Sequence, residues 1–147
     1  GFSTDTDTFL SAFDFLGGCP AKEYGNRCEN RLATWIYGSR SANPRMRATF
    51  PVEPFPPAGD YTLIISGQDD DAEEKCRIRI LVNDTEVFEG QNPFVRLGWS
   101  RHAFRIPAAL LKRSSVLQIE NIEDTGRCGG PPFFMLNYAV VRKGNAQ

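Results

Sequence analysis

Polar and apolar residues alternate along much of this chain with a period of two. Tyr61, Leu63 and Ile65 alternate with Thr62, Ile64 and Ser66; after a charged break, Cys76, Ile78, Ile80 and Val82 alternate with Arg77, Arg79 and Leu81. A two-residue period that resumes beyond an acidic interruption predicts antiparallel strands with one buried face. Asp84-Thr85 lies between Val82-Asn83 and Glu86-Val87-Phe88, where a tight hairpin is the economical connection.

The same pattern extends in both directions. Phe9, Phe13 and Phe15 predict a first strand over residues 9–16, ended by Gly17-Gly18, and the polar segment 19–31, broken by Pro20 and Gly25, reads as a loop. Leu32, Thr34 and Ile36 then share one strand face, with Ala33, Trp35 and Tyr37 on the other. Met46, Ala48, Phe50 and Val52 form the buried side of the next strand, and Pro51, Pro54, Pro56 and Pro57 stop it. His102, Phe104 and Ile106 mark a further strand, Pro107 opens one helical turn, and Leu117 and Ile119 point inward from the strand after it. Residues 133–141 are apolar on both faces, as in a central strand; the exception is Asn137, which needs hydrogen-bond partners if buried. Eight or nine short strands, with no long helix and no repeat, predict an all-β sandwich of the jelly-roll type.

Size and charge narrow the function classes. The 147 residues suit a single domain spanning 1–147, of which 1–31 form an N-terminal strand and loop. With 17 basic and 18 acidic side chains nothing in the charge balance suggests a phosphate-tracking surface or a cationic membrane face, and no apolar run is long enough to span a bilayer. The four cysteines form no C-x-x-C motif, which argues against a zinc ribbon. Cys19 and Cys28 bracket a loop that a disulfide can close, and Cys76 and Cys128 are distant in sequence, so one or two disulfides in an exported protein stand against four buried thiols.

Strand parity locates the chemistry. If consecutive strands are antiparallel, alternate connections share an end of the sandwich. One end then collects 51–59, the Asp84-Thr85 turn and 107–114, which are turn and capping segments. The other collects 38–44, 68–75, 90–100 and 122–132, carrying Arg40, Asn43, Asp69, Asp70, Asp71, Asn92, Trp99, Asp124 and Arg127. The same rule places Cys76 and Cys128 at one end. Binding residues concentrate on loops gathered at one end of a rigid scaffold.

Met46-Arg47-Ala48-Thr49-Phe50, Gly67-Gln68-Asp69-Asp70-Asp71, residues 80–90, Phe104-Arg105-Ile106-Pro107 with Leu110, Leu117-Gln118-Ile119-Glu120-Asn121 and Met135-Leu136-Asn137-Tyr138 make the part of the chain from Trp35 onward resemble a known family. It is similar to the galactose-binding-like jelly roll of carbohydrate-binding modules, found appended to polysaccharide lyases and glycoside hydrolases. The resemblance implies sugar recognition by loop aromatics and a structural calcium ion, although Asn137 stands where those families often carry Asp.

A sugar binder needs an aromatic plate for the C–H face of the ring and donors and acceptors for the hydroxyls. Trp99 is the candidate plate, or else a cap on the core edge; Asn92 shares its loop, and Arg101 follows. Trp35 and Tyr37 beside Arg45 and Arg47 form a second candidate face, against the alternative that they are core, and Arg40, Arg45, Arg47, Arg101 and Arg127 are candidates to pair the carboxylates of an acidic sugar, against neutralising the acidic loop. Arg40, Asn43 and Arg127 complete the ligand-binding candidates, and Asp69, Asp70 and Asp71 are the calcium candidates, against a solvated turn. His102 alternates with the inward face of its strand and no Ser or Cys motif accompanies it, which favours a structural role over that of a catalytic base. The expected function is a secreted, non-catalytic carbohydrate-binding module that targets a covalently linked glycan-degrading enzyme to polysaccharide. The alternative is a structural or protein-interaction domain of such an enzyme.

Overall fold

A computed structural model describes residues 7–24, 31–69, 74–96, 98–124 and 132–144. Ten strands are present among them: β1 Asp7–Ser11, β2 Cys19–Tyr24, β3 Arg31–Ile36, β4 Arg45–Pro51, β5 Tyr61–Asp69, β6 Arg77–Val82, β7 Thr85–Gln91, β8 Ser100–Ile106, β9 Ser114–Asn121 and β10 Phe134–Lys143. One sheet runs β2-β3-β10-β5-β8, with β1 also on β10, and the second runs β4-β9-β6-β7. Every pairing between these strands is antiparallel. The fold is the expected β-sandwich.

The inner faces of both sheets meet in one core. Met46, Phe50, Ile78, Ile80, Leu117 and Ile119 from the smaller sheet pack against Ile36, Leu63, Ile65, Phe134 and Leu136 from the larger, all essentially inaccessible to water. These are the apolar positions of the two-residue period, and removing them from water drives the association of the sheets.

β10 is the central strand, as its two apolar faces predict. Along one edge it pairs first with β3, through Phe134 to Leu136, and then with β1, through Tyr138 to Arg142. Asn137 falls at the change of partner, where the register against β5 also shifts. Its Nδ2 donates to the Leu32 carbonyl at 2.7 Å, which supplies the partner that a polar group in this strand requires.

Four local expectations need correction. First, the N-terminal strand ends at Ser11, and a 3-10 turn over Ala12–Asp14 follows, closed by a capping box in which Asp14 Oδ2 accepts from Ser11 N at 2.8 Å. Phe9, Phe13 and Phe15 therefore share no buried face: Phe13 is 65% exposed and Phe15 only 5%. Second, residues 19–24 are an edge strand on β3, with a register irregularity between Cys19 and Lys22 that brackets Pro20, a residue with no N–H to donate. Third, the β6–β7 turn is centred on Asn83 and Asp84, one residue earlier than expected, with φ of 49° and 69°. Such a turn needs positive φ at both central positions, which Asn and Asp tolerate and β-branched Thr85 does not. Fourth, β5 runs through Gln68 and Asp69, so the acidic connection starts later than the charge pattern suggests.

Candidate functional site

The parity argument holds for the described residues. Ser39 N donates to Glu123 O at 2.8 Å and Arg40 pairs with Asp124, Nη2 to Oδ2 at 2.9 Å, so the connections after β3 and β9 meet. Asp69 N donates to Val95 O at 2.8 Å, and Lys75 Nζ donates to Phe94 O at 2.6 Å, so the connections after β5 and β7 meet. Glu123 Oε2 accepts from Arg77 N at 3.2 Å and links the two pairs. At the opposite end Asn83 Nδ2 donates to Leu110 O and Val52 N to Arg113 O.

Asn121 is the residue on which this rim turns, and its position at the end of β9 gave no hint of that in sequence. It is 1% exposed; its Nδ2 donates to Ile36 O at 3.3 Å and Pro132 O at 3.2 Å, while Oδ1 accepts from Glu123 N at 3.1 Å. One amide thus holds the end of β3 and both flanks of the β9–β10 connection.

On the outer face of the larger sheet, at this same rim, lies a second apolar cluster. Ala33, Trp35 and Met135 form its buried floor, and the partly exposed Cys19, Tyr37, Trp99 and Phe133 pack against it. Cys19, Trp35 and Met135 are successive cross-strand neighbours, and their sequence neighbours Thr34, Ile36, Phe134 and Leu136 point the other way. The rings of Tyr37 and Phe133 meet edge to face, 5.6 Å apart at 72°. Trp99 packs on this apolar floor and remains partly exposed. Arg101, two residues on, is exposed on β8, and its side chain makes no hydrogen bond or ion pair with the described residues.

The structure thus brings together Trp99, Trp35, Tyr37 and Arg101, with Arg40 on the adjoining connection. Trp35 itself is floor, at 8% exposure. Met135 and Phe133 were not singled out in sequence, although the apolar character of both faces of that segment was the available signal.

Other candidates go elsewhere. Asn92 is 1% exposed, with Nδ2 donating to Asp69 Oδ1 at 3.0 Å and Oδ1 accepting from Phe94 N at 3.1 Å, so it braces the rim from beneath and does not face solvent. Asn43 is tied to the N-terminal segment, its Nδ2 donating to Gly17 O at 3.1 Å. Arg45 and Arg47 do not accompany Trp35 and Tyr37, because β3 and β4 belong to different sheets. His102 packs edge-on against Phe94, ring centroids 5.0 Å apart, as the inward reading requires. Arg127, Cys28, Cys128, Asp70 and Asp71 lie outside the described residues.

Electrostatics at the rim are mild. The hydrogen bonds to Asp124, and then its charge, hold the Arg40 guanidinium above its ordinary pKa. Both partners are well exposed, so the contact orders the two connections more than it stabilises them.

With this geometry, comparison with known proteins is informative. The chain is similar to the CBM36-1 domain of a multidomain xylanase from the hindgut metagenome of Trinervitermes trinervoides: TM-score 0.61, 11% identity, 96% of this chain and 98% of that one covered. A family 35 carbohydrate binding module from Clostridium thermocellum gives TM-score 0.60 and 16% identity over 92% of this chain and 97% of the module. The fold is the jelly roll of these modules. A ruminal GH26 endo-beta-1,4-mannanase contains it too, with TM-score 0.64 and 10% identity over all of this chain and 28% of that one. No family model and no curated protein matches the sequence.

The calcium that such a jelly roll implies is not matched by the described donors. No group of three His, Cys, Asp or Glu residues among them is arranged to hold a cation. Asp69 is buried against Asn92, and Asn137 directs an amide N–H at a carbonyl.

Proposed function

We propose that this protein is a non-catalytic carbohydrate-binding module whose recognition surface is the aromatic cluster at the loop-rich rim. The observation that carries this reading is the set of half-exposed rings, Trp99, Tyr37 and Phe133, seated on the rigid Trp35–Met135 floor beside the exposed Arg101. Rings held by packing offer a pyranose C–H face a preorganised apolar surface, and Arg101 supplies directional donors for hydroxyl or carboxylate oxygens. The jelly roll shared with modules of xylanases and mannanases supports the same reading at the level of architecture.

In this reading the module is exported and joined to a glycan-degrading enzyme, with Cys19–Cys28 and Cys76–Cys128 as disulfides suited to an oxidising compartment. A cation at the acidic connection would rest on Asp70 and Asp71. The protein-interaction alternative asks for a broad apolar patch. The exposed large apolar side chains among the described residues are Phe9, Phe13, Leu16 and Val95, divided between the N-terminal segment and the β7–β8 connection.

Calorimetric titration against a panel of soluble polysaccharides tests the proposal. Trp99→Ala and Arg101→Ala should each weaken binding to the preferred glycan by about tenfold or more, the loss expected on truncating a central contact. Melting curves verify that both variants fold. Binding unchanged by both rejects the site, and no binding across the panel rejects the function.

A further inference from the structure

We propose a second binding surface, on the outer face of the smaller sheet, that takes sugars bearing a carboxylate. A groove of about 540 Å³ lies between residues 14–17 and β4, lined by Asp14, Leu16, Arg45, Arg47, Thr49 and Val116. Arg45 and Arg47 alternate with buried Met46 and Ala48, so both side chains leave the outer face, their Cα atoms roughly 7 Å apart along the strand. Arg47 Nε donates to Gln118 Oε1 at 2.5 Å, which fixes that side chain and leaves its terminal nitrogens available.

Charge is segregated across this face. Towards the β7 edge, Arg79 pairs with Glu89 at 2.9 Å and Glu86 at 3.5 Å, and Arg77 reaches Glu89 at 3.8 Å. At the β4 edge, neither Arg45 nor Arg47 has a carboxylate partner among the described residues, although Glu120 lies opposite Arg45 in the strand register. The carboxylate of Asp14 is engaged by Ser11 N. Two guanidiniums with no ion-paired carboxylate outnumber the single Asp14 charge on the groove wall and favour an anionic occupant, and their planar donors match a carboxylate in particular.

The groove walls identify the rest of the ligand. Leu16 is 74% exposed and, with Val116, presents an apolar wall that a simple inorganic anion would leave unused. Thr49 adds a hydroxyl, so apolar, hydroxyl and cationic features converge as a uronic-acid ring requires.

An extended acidic peptide fits less well, because the β4 edge is closed to a further strand. Leu16 and Arg47 exchange two backbone hydrogen bonds at 2.8 Å, Gly17 crowds the Arg45 carbonyl, and Pro51 has no N–H.

The test is titration of the whole protein with a galacturonate trimer, the neutral galactose trimer, acetate and an oligoglutamate, followed by calorimetry and amide NMR. The expected result is that, of the four, the galacturonate trimer alone shifts Leu16, Arg45, Arg47 and Thr49, and the binding read at these residues is what the variants are compared on. Arg45→Ala and Arg47→Ala should each weaken it about tenfold or more, and Arg45→Lys should recover part of the loss. Trp99→Ala should leave it unchanged, which separates this surface from the rim and keeps the two proposals independently testable. Equal binding of acetate, tighter binding of oligoglutamate, loss on Trp99→Ala, or no response at these four residues would each overturn the proposal.

Discussion

Replacing Asn121 by alanine should destabilise the protein well beyond what an ordinary polar-to-alanine change costs. The side chain makes three hydrogen bonds, at 3.3, 3.2 and 3.1 Å, and is itself only 1% exposed. A net contribution of about 0.5–1.5 kcal/mol per bond, weighted to the lower half because two are long, gives roughly 1.5–3 kcal/mol. Part of that loss comes from carbonyls of Ile36 and Pro132 left short of a donor. For a chain of this size each kcal/mol is worth about 2–4 °C, so the midpoint should fall by roughly 3–12 °C. Thermal and urea denaturation measure it directly. Asn121→Asp is the sharper control: it keeps the acceptor for Glu123 N but turns an oxygen towards two carbonyls, so it should be at least as damaging. A loss below about 0.5 kcal/mol for Asn121→Ala would refute the view that this amide holds the rim together.

Gly67→Ala should also destabilise, by about 1–3 kcal/mol, because a Cβ there would lie 2.8 Å from Phe134 and 3.0 Å from Phe94, two fully buried rings; a neutral result in urea melts would show that the rings can yield. Asp60 accepts from Ala108 N and then from Arg105, and these bonds hold its pKa below the usual carboxylate value. Its stabilisation is therefore complete above the unfolded value of about 3.9 and disappears as the pH drops through the lower folded value. Asp60→Asn should flatten the acid limb of the stability curve, measured by urea titrations at a series of pH values, and an unchanged limb would contradict the assignment.

Much of the architecture was legible because burial on one face imposes a strict period. Met46, Ala48 and Phe50, or Ile78, Ile80 and Val82, could hardly belong to anything but strands facing a core. The gathering of four connections at one end followed from antiparallel order alone. What escaped the sequence was structure held by backbone geometry or by single polar side chains. β2 went unread because its short, largely polar run carries Pro20 and shows no alternation of residue types, which is the composition of a loop. The hairpin was displaced because its constraint is the sign of φ, which hydropathy does not carry. Asp69 and Asn92 read as solvent-facing because their types are usually exposed, yet both are buried and joined by one hydrogen bond inside the rim. Trp99 and Trp35 were legible as aromatics, while their union with Met135 and Phe133 depended on a cross-strand register that only the structure supplies.

The most direct test of the rim as a recognition surface is amide and indole NMR during titration with the polysaccharide fragment that binds best. The account predicts that shifts centre on Trp99, Tyr37, Phe133 and Arg101. Shifts centred on the opposite end, around residues 52–60, 83–84 and 107–113, would contradict it.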